Sequence, residues 1–538
     1  MSAPIQSLPA PLSSPGPAER PEILRRFLLR SLPPLLLALL FAAWGLRGAA
    51  TSEFTQADAA RHAMNGVLIH DWLVSGQILH PLAFAHRFYS HLPATSIPYH
   101  PPLFPAVEAL FYLAAGIHSW SARLAIAFLT FVAAVLLYHL VLATHGSRGF
   151  AALCVIITFL IPEFQRQSSD VMLEMPALAC ILGALWFLRR YGDHPTLRHA
   201  VLFALLAAAA IWTKQHAVFL IAVPFLLLAF QRNWRAFRQP PLWVATLLIA
   251  VAAAAIVGLA MEVHAGGNSE WGSFGVTTPF GNFAEYARKL AIENGVLPAL
   301  ILGAGALLVV AHAAVGREPD RNALYTAWIV PCVGLALVLP FIDERYLFNA
   351  YAPAVVLVCD ALRRAIRGRS VRRLASVLAV PVLAFAWARP AGYAHGPRQA
   401  AALVMAANPA RILYCGGNKN GDFIFAVRER DPHLRTIVIR GDKLPPPLFA
   451  PAAFEKFVRD YGVNFVLFER RRDPRPWDAL TARPTPSMLL VAAIPLSSSE
   501  SQDNGQILVY RLLHPAAHPR NFIEYESDMV KSGLGVSF

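Results

Sequence analysis

Long apolar blocks separated by short arginine-bearing stretches limit what this chain can fold into. Leu35 to Trp44, Leu124 to Leu142 and Leu242 to Leu259 are the plainest of them. Membrane crossings need such blocks, at roughly 20 apolar residues each, whereas a soluble core does not. The composition agrees: of 538 residues 56% are hydrophobic and only 15% charged, and the mean hydropathy of +0.46 lies outside the soluble range.

The net charge of +14 would suit a nucleic-acid partner, but Lys and Arg gather in the short loops between apolar blocks, where they set topology. No nucleic acid is therefore expected. Cys154, Cys180, Cys332 and Cys359 fall within apolar blocks, leaving Cys415 alone in the tail, so no disulfide framework is expected. Residues 1–32 form a Pro- and Ser-rich, basic segment that reads as a disordered cytoplasmic tail. It leads into a retained first span, because Leu46 to Ala50 lacks a small-residue cleavage site.

With that tail in the cytoplasm, about eleven spans are expected, at 33–49, 121–143, 149–163, 173–188, 199–213, 216–230, 242–262, 295–315, 322–341, 346–362 and 373–388. Arg148, the Arg189, Arg190 and Arg198 group, Arg232, Arg235 and Arg238, Arg317 and Arg321, and Arg363 to Arg373 then all face the cytoplasm. Leu103 to Ala115 is read as interfacial or re-entrant, since a crossing there would turn Arg148 and the Arg189/Arg190 pair outward. Beyond Arg389 the sequence becomes mixed. Strands are expected at Arg411–Cys415, Thr436–Ile439, Asn464–Phe468, Met488–Ile494 and Gln506–Leu512, with helices at Arg398–Ala407 and Phe454–Tyr461. The expected fold is mainly α: a polytopic membrane helical bundle over 33–389, in a bacterial-type cytoplasmic membrane, followed by a small extracytoplasmic α/β domain over 390–538.

On this topology the ionisable residues collect on the outer face. The first outer loop, 50–120, carries Glu53, Asp58, Asp71 and the run Pro98-Tyr-His-Pro-Pro-Leu103; later loops add Glu163, Asp170 and Glu174, then Lys214 and His216, then Glu262 and His264, then Asp343, Glu344 and Arg345. Charges at the ends of apolar helices are costly unless they face a polar cavity, so a mixed acid and base site is expected there. A plainer role stands beside each: solvated loop acids for Glu53, Asp71 and Glu163, headgroup contacts for Lys214 and Arg345, and an interfacial helix for Asp58 to Gly66. His100, His216, Glu262 and His264 are weak candidates for a divalent cation, without a spacing that demands one, and no other cofactor is indicated.

The order of these features resembles the GT-C polyprenyl-phosphate-sugar glycosyltransferases, with the protein mannosyltransferases and lipid A aminoarabinose transferases nearest in pattern. The resemblance rests on the early acid Asp58 in a long outer loop, His100-Pro-Pro-Leu103 before an interfacial helix, Arg123-Leu124, Leu173-Glu174-Met-Pro176, Thr213-Lys214-Gln-His216 and Glu344-Arg345-Tyr346. Asp58 is followed by Ala59 where the family often has Asp-Glu, and the second acidic position holds Glu174, with Asp170 one turn earlier. The absence of a Trp-Trp-Asp signature argues against an oligosaccharyltransferase.

The resemblance implies a polyprenyl-phosphate-linked sugar donor, a lipid, glycan or protein acceptor, and transfer with inversion. It makes Asp58 the general base. Lys214, Arg345, Arg123 and His100 would meet the donor phosphate, while Glu174, Asp170 and Glu344 orient sugar hydroxyls or these cations. The competing classes are a transporter or flippase of lipid-linked sugars, which would set its charges near the midplane in repeated halves, and an anchored binding protein working through its tail.

Overall fold

The computed structural model describes chiefly residues 20–97, 99–264, 278–290, 296–315, 320–339, 342–366 and most of 391–537. The tail before Arg20 and almost all of the span expected at 373–388 lie outside these residues. The described chain is mainly helical: α1 (Arg20–Gly45), α2 (Ala59–Val74), α3 (Pro81–His91), α4 (Leu103–Ala115), α5 (Ser119–His145), α6 (Arg148–Leu160), α7 (Pro162–Ser169), α8 (Glu174–Asp193), α9 (Leu197–Thr213), α10 (Val223–Phe230), α11 (Pro240–His264), α12 (Thr278–Lys289), α13 (Val296–Val315), α14 (Asp320–Val338) and α15 (Phe348–Ala365).

Among the described residues two helices, Ser119–His145 and Arg321–Val338, are long and apolar enough to cross a membrane, and a third crossing arises if α6 and α7 count as one bent span. The sequence pattern led to an expectation of eleven. Part of the difference lies in expected spans that form short helices, Leu197–Thr213 and Gln215–Phe230, which fall below the length a bilayer core asks of a straight span, and part in expected spans that lie partly outside the described residues.

Two local features bring charged ends together. Pro162 lacks the N–H that would continue α6, so α7 turns away by 73° and carries Glu163 and Asp170 inward. The α8 and α9 helices form an antiparallel pair, so Glu174 at the start of one and Lys214 just past the end of the other reach the same end of the bundle.

The tail folds as a six-stranded sheet of order β1-β5-β6-β4-β2-β3, built from β1 (Ala394–His395), β2 (Arg411–Cys415), β3 (Ile437–Arg440), β4 (Phe465–Arg470), β5 (Met488–Ser498) and β6 (Gly505–Leu512). Its β2 strand runs parallel to both neighbours, and β4, β6 and β5 pair antiparallel. The helices are α16 (Pro397–Met405), α17 (Asn420–Arg430) and α18 (Pro451–Asp460). The five expected strands are found within a few residues, whereas α17 was not expected.

The tail does not stand apart from the membrane part. One buried apolar core runs from Ala38 and Phe54 through α2, α5 and α8 to Ile412, Phe423 and Phe425 of the tail. The Glu53 carboxylate accepts from the Gly396 and Arg398 amides at 3.0 and 2.9 Å, and Lys419 Nζ donates to the Phe54 and Thr55 carbonyls. Glu53, Asp71 and Glu163 are buried, which overturns their reading as solvated loop acids.

Candidate active site

Asp58 is the residue from which α2 starts, where the first-turn amides leave the positive end of the helix dipole beside its carboxylate. Arg345 faces it. This arginine sits in a 3₁₀ turn, Glu344–Leu347, that Asp343 caps: the Asp343 side chain accepts from Arg345 N at 2.9 Å, and its carbonyl accepts from Tyr346 N at 3.0 Å. The same carboxylate takes Nε at 2.8 Å and Nη2 at 2.6 Å, which fixes the guanidinium plane and leaves Nη1 to reach Asp58 at 3.1 Å.

A second ion pair lies at the same end. Lys214 Nζ bonds Glu174, a nearly inaccessible acid in the first turn of α8, and sits 5.9 Å from the centre of the Tyr346 ring. His216 stacks on the same Tyr346 ring, with the centroids 4.1 Å apart. His62 and His100 meet edge to face at 4.5 Å beside Asp58, with His100 Nδ1 against Ser96 Oγ at 2.9 Å. Gln215 anchors the neighbouring loop by donating to the Tyr99 carbonyl.

Burial raises the Asp58 carboxyl, but His62, the Arg345 and His100 charges and the bond from Arg345 outweigh it and hold the pKa at about 2. Burial brings His62 down to about 4 and, with His62 as neighbour, holds His100 well below the usual histidine range. Both rings are therefore neutral near neutral pH. The cation bonded to Asp58 is Arg345 at 3.1 Å, and His100 in its neutral form offers a phosphate a hydrogen bond.

Of the expected site residues, Asp58, Arg345, Lys214, Glu174 and His100 come together, and three do not. Arg123 is buried under the outer loop, donating to the Ser52 and Glu53 carbonyls at 2.9 and 2.5 Å and standing 3.6 Å from Asp170. Asp170 accepts from Thr55 N, Thr55 Oγ1 and Gln56 N at 2.7 to 2.8 Å, holding the segment that leads to Asp58. Glu344 turns to Arg166 at 2.6 Å, and the same guanidinium takes Glu163 at 2.6 Å. Among the described residues no three His, Cys, Asp or Glu side chains are grouped to hold a metal ion; the side chains of Glu262 and His264 lie outside the described residues. His62 and Arg166 were missed as site residues, while Asp343 and Tyr346 stood beside Arg345 in the sequence without a role of their own. His62 carried a local signal, four residues and hence one helical turn from Asp58.

The arrangement defines a class: a helical membrane protein whose acids and cations face each other at one end of the bundle. Residues 99–258 match the family model described as dolichyl-phosphate-mannose-protein mannosyltransferase. No curated protein matches the chain in sequence. The crystal structure of the Archaeoglobus fulgidus oligosaccharyltransferase in complex with Zn and sulfate is similar with a TM-score of 0.51 and 12% identity, over 81% of this chain and 68% of its own. ArnT from Cupriavidus metallidurans bound to undecaprenyl phosphate aligns over 88% of this chain and 97% of its own, at 15% identity and a TM-score of 0.44. At these identities the likeness is one of fold, and it is carried by the first of the two. The chain thus resembles the GT-C polyprenyl-phosphate-sugar glycosyltransferases of the protein mannosyltransferase kind, as its motifs indicate.

Proposed function

We propose that this protein is a membrane glycosyltransferase that moves a sugar from a polyprenyl-phosphate donor to an acceptor hydroxyl on the outer face by one inverting displacement. The observation that supports the reading best is Asp58 held 3.1 Å from Arg345, with Lys214 at the same end of the bundle. An acid that must take a proton and cations that must meet a phosphate are the two parts such a transfer needs.

The ion pair also sets an order of events. His62, Arg345 and His100 together hold the Asp58 carboxyl low, which makes it a weak base until a neighbouring cation is drawn away. A donor phosphate entering beside Arg345 draws Nη1 to its own oxygens, since a guanidinium fork suits phosphate. Asp58 then loses its nearest cation and its pKa rises. The acceptor oxygen attacks the anomeric carbon while its proton passes to Asp58; the bond from that carbon to the phosphate oxygen breaks, and polyprenyl phosphate leaves with the added negative charge facing Arg345 and Lys214. Glu174 keeps Lys214 in place, and Asp170, Arg123 and Glu344 are positioning residues for the surrounding loops.

The test is transfer of radiolabelled sugar from polyprenyl-phosphate donors in membranes holding wild type or Asp58→Asn. Loss of about 10²- to 10⁴-fold in a folded variant supports the assignment. Equal transfer removes Asp58 from the site, and donor movement across vesicles without transfer points to a flippase.

A further inference from the structure

We propose that the end of the bundle opposite Asp58 and Arg345 carries a second binding site, for the phosphate headgroup of an anionic phospholipid. The α8 helix starts at Glu174 beside Lys214 and ends at Asp193; at 1.5 Å per residue its far end lies roughly 30 Å away. There a cavity of about 880 Å³ is lined by Arg189, Arg232 and Arg321 together with Tyr191, Gln231 and Asn233.

Charge favours an anion in it. Asp193 also lines the cavity and pairs with Arg189, so three arginines meet one carboxylate on the wall. Arg321 lies 3.2 Å from Asp360, an acid it shares with Arg364 at 3.1 Å, so this one carboxylate is divided between two guanidiniums. Arg232 takes its place on the wall at φ 54°, where α10 ends and Asn233 N closes back on the Leu228 carbonyl. This is the left-handed turn that closes a helix C-terminus, and it fixes the Arg232 backbone at the cavity wall.

The surroundings identify the anion as a lipid's. Trp234 and Trp243 stand 64% and 53% exposed next to the cavity-lining Asn233 and Leu242, and exposed indole rings of this kind are typical of membrane–water boundaries. From Trp243 an exposed apolar stripe continues along α11 through Leu247 and Val251, one residue per turn. Acyl chains can lie along that stripe while the phosphate meets the arginines, the arrangement by which basic pockets at the ends of membrane helices hold anionic headgroups. A free phosphate has no use for it.

The full-length protein, purified in detergent, would be offered phosphatidylglycerol, phosphatidylcholine or inorganic phosphate, with retained lipid counted by native mass spectrometry and thermal unfolding followed in parallel. Phosphatidylglycerol should be retained in preference to phosphatidylcholine, and its retention should fall about fivefold in each of Arg232→Gln and Arg321→Gln. Arg232→Gln is the cleaner variant, because Arg321 also serves the buried Asp360. Equal retention of the two lipids, or wild-type retention by Arg232→Gln, overturns the proposal. Protection by inorganic phosphate equal to that by phosphatidylglycerol overturns the lipid assignment.

Discussion

The Arg428 guanidinium grips Asp71 with two parallel bonds, Nε to Oδ2 at 2.7 Å and Nη2 to Oδ1 at 2.6 Å, joining the tail to the far end of the helix that starts at Asp58. Both side chains are 7% exposed. The tail is therefore part of the frame that holds the candidate base. Truncating it exposes the α2 core and frees the Phe54 and Thr55 carbonyls from Lys419, so truncation is not a clean test of the site.

Arg428→Ala leaves the buried Asp71 carboxylate with His70 as its remaining partner, at 2.9 Å, and should destabilise the protein by about 1 to 3 kcal/mol. The paired replacement Asp71→Asn with Arg428→Gln should cost less than the single change. Thermal unfolding of the three proteins in one detergent checks the order.

Arg345→Lys keeps the charge but not the fork. The three donors of a lysine diverge from one nitrogen and cannot span Asp343 and Asp58 as the separate Nε, Nη2 and Nη1 do, so sugar transfer should fall about 100-fold while the unfolding temperature changes little. A rate close to wild type would show that charge alone suffices at this position.

His62 gives a pH signature. Its folded pKa, about 4, lies below the ordinary value of 6.5 because burial disfavours the charged ring. The unfolded chain therefore takes up the proton first, and the contribution of this ring is complete above pH 6.5 and declines as the pH falls toward 4. Glu53 acts in the opposite sense: burial raises its pKa to about 7, so its contribution is complete below about 4.5 and declines as the pH rises through 7. Comparing wild type with His62→Gln across pH 4 to 7 removes the Glu53 part. Wild type should lose stability relative to the variant on acidification, and parallel curves would refute the assignment.

Gly66 is small because of Glu108. A Cβ at Gly66 would stand 2.3 Å from Glu108 Oε2, and this acid is fully buried between α2 and α4 with Tyr112 donating to its other oxygen. Gly66→Ala should cost about 1 to 3 kcal/mol by overpacking, and adding Glu108→Ala should recover part of it. An additive loss in the double variant would show that the two residues do not compete for space.

Much of this protein is legible in local pattern. Apolar block length points to a membrane protein and short apolar runs mark the tail strands, because each is a property of a short stretch of chain. The family resemblance came from the same source, as short motifs in a fixed order. The partners of the charges are a different matter. Asp170 and Glu174 stand one turn apart and look interchangeable, yet the bend at Pro162 delivers Asp170 to the amides of Thr55 and Gln56 while Glu174 opens α8 toward Lys214. Glu344 and Arg345 are adjacent, yet one turns to Arg166 and the other to Asp58. Arg123 reads as a phosphate ligand and is instead closed off under backbone carbonyls. These pairings join residues 40 to 287 positions apart, and ion pairs over such separations depend on which helix ends the packed bundle brings side by side, which only the tertiary fold decides.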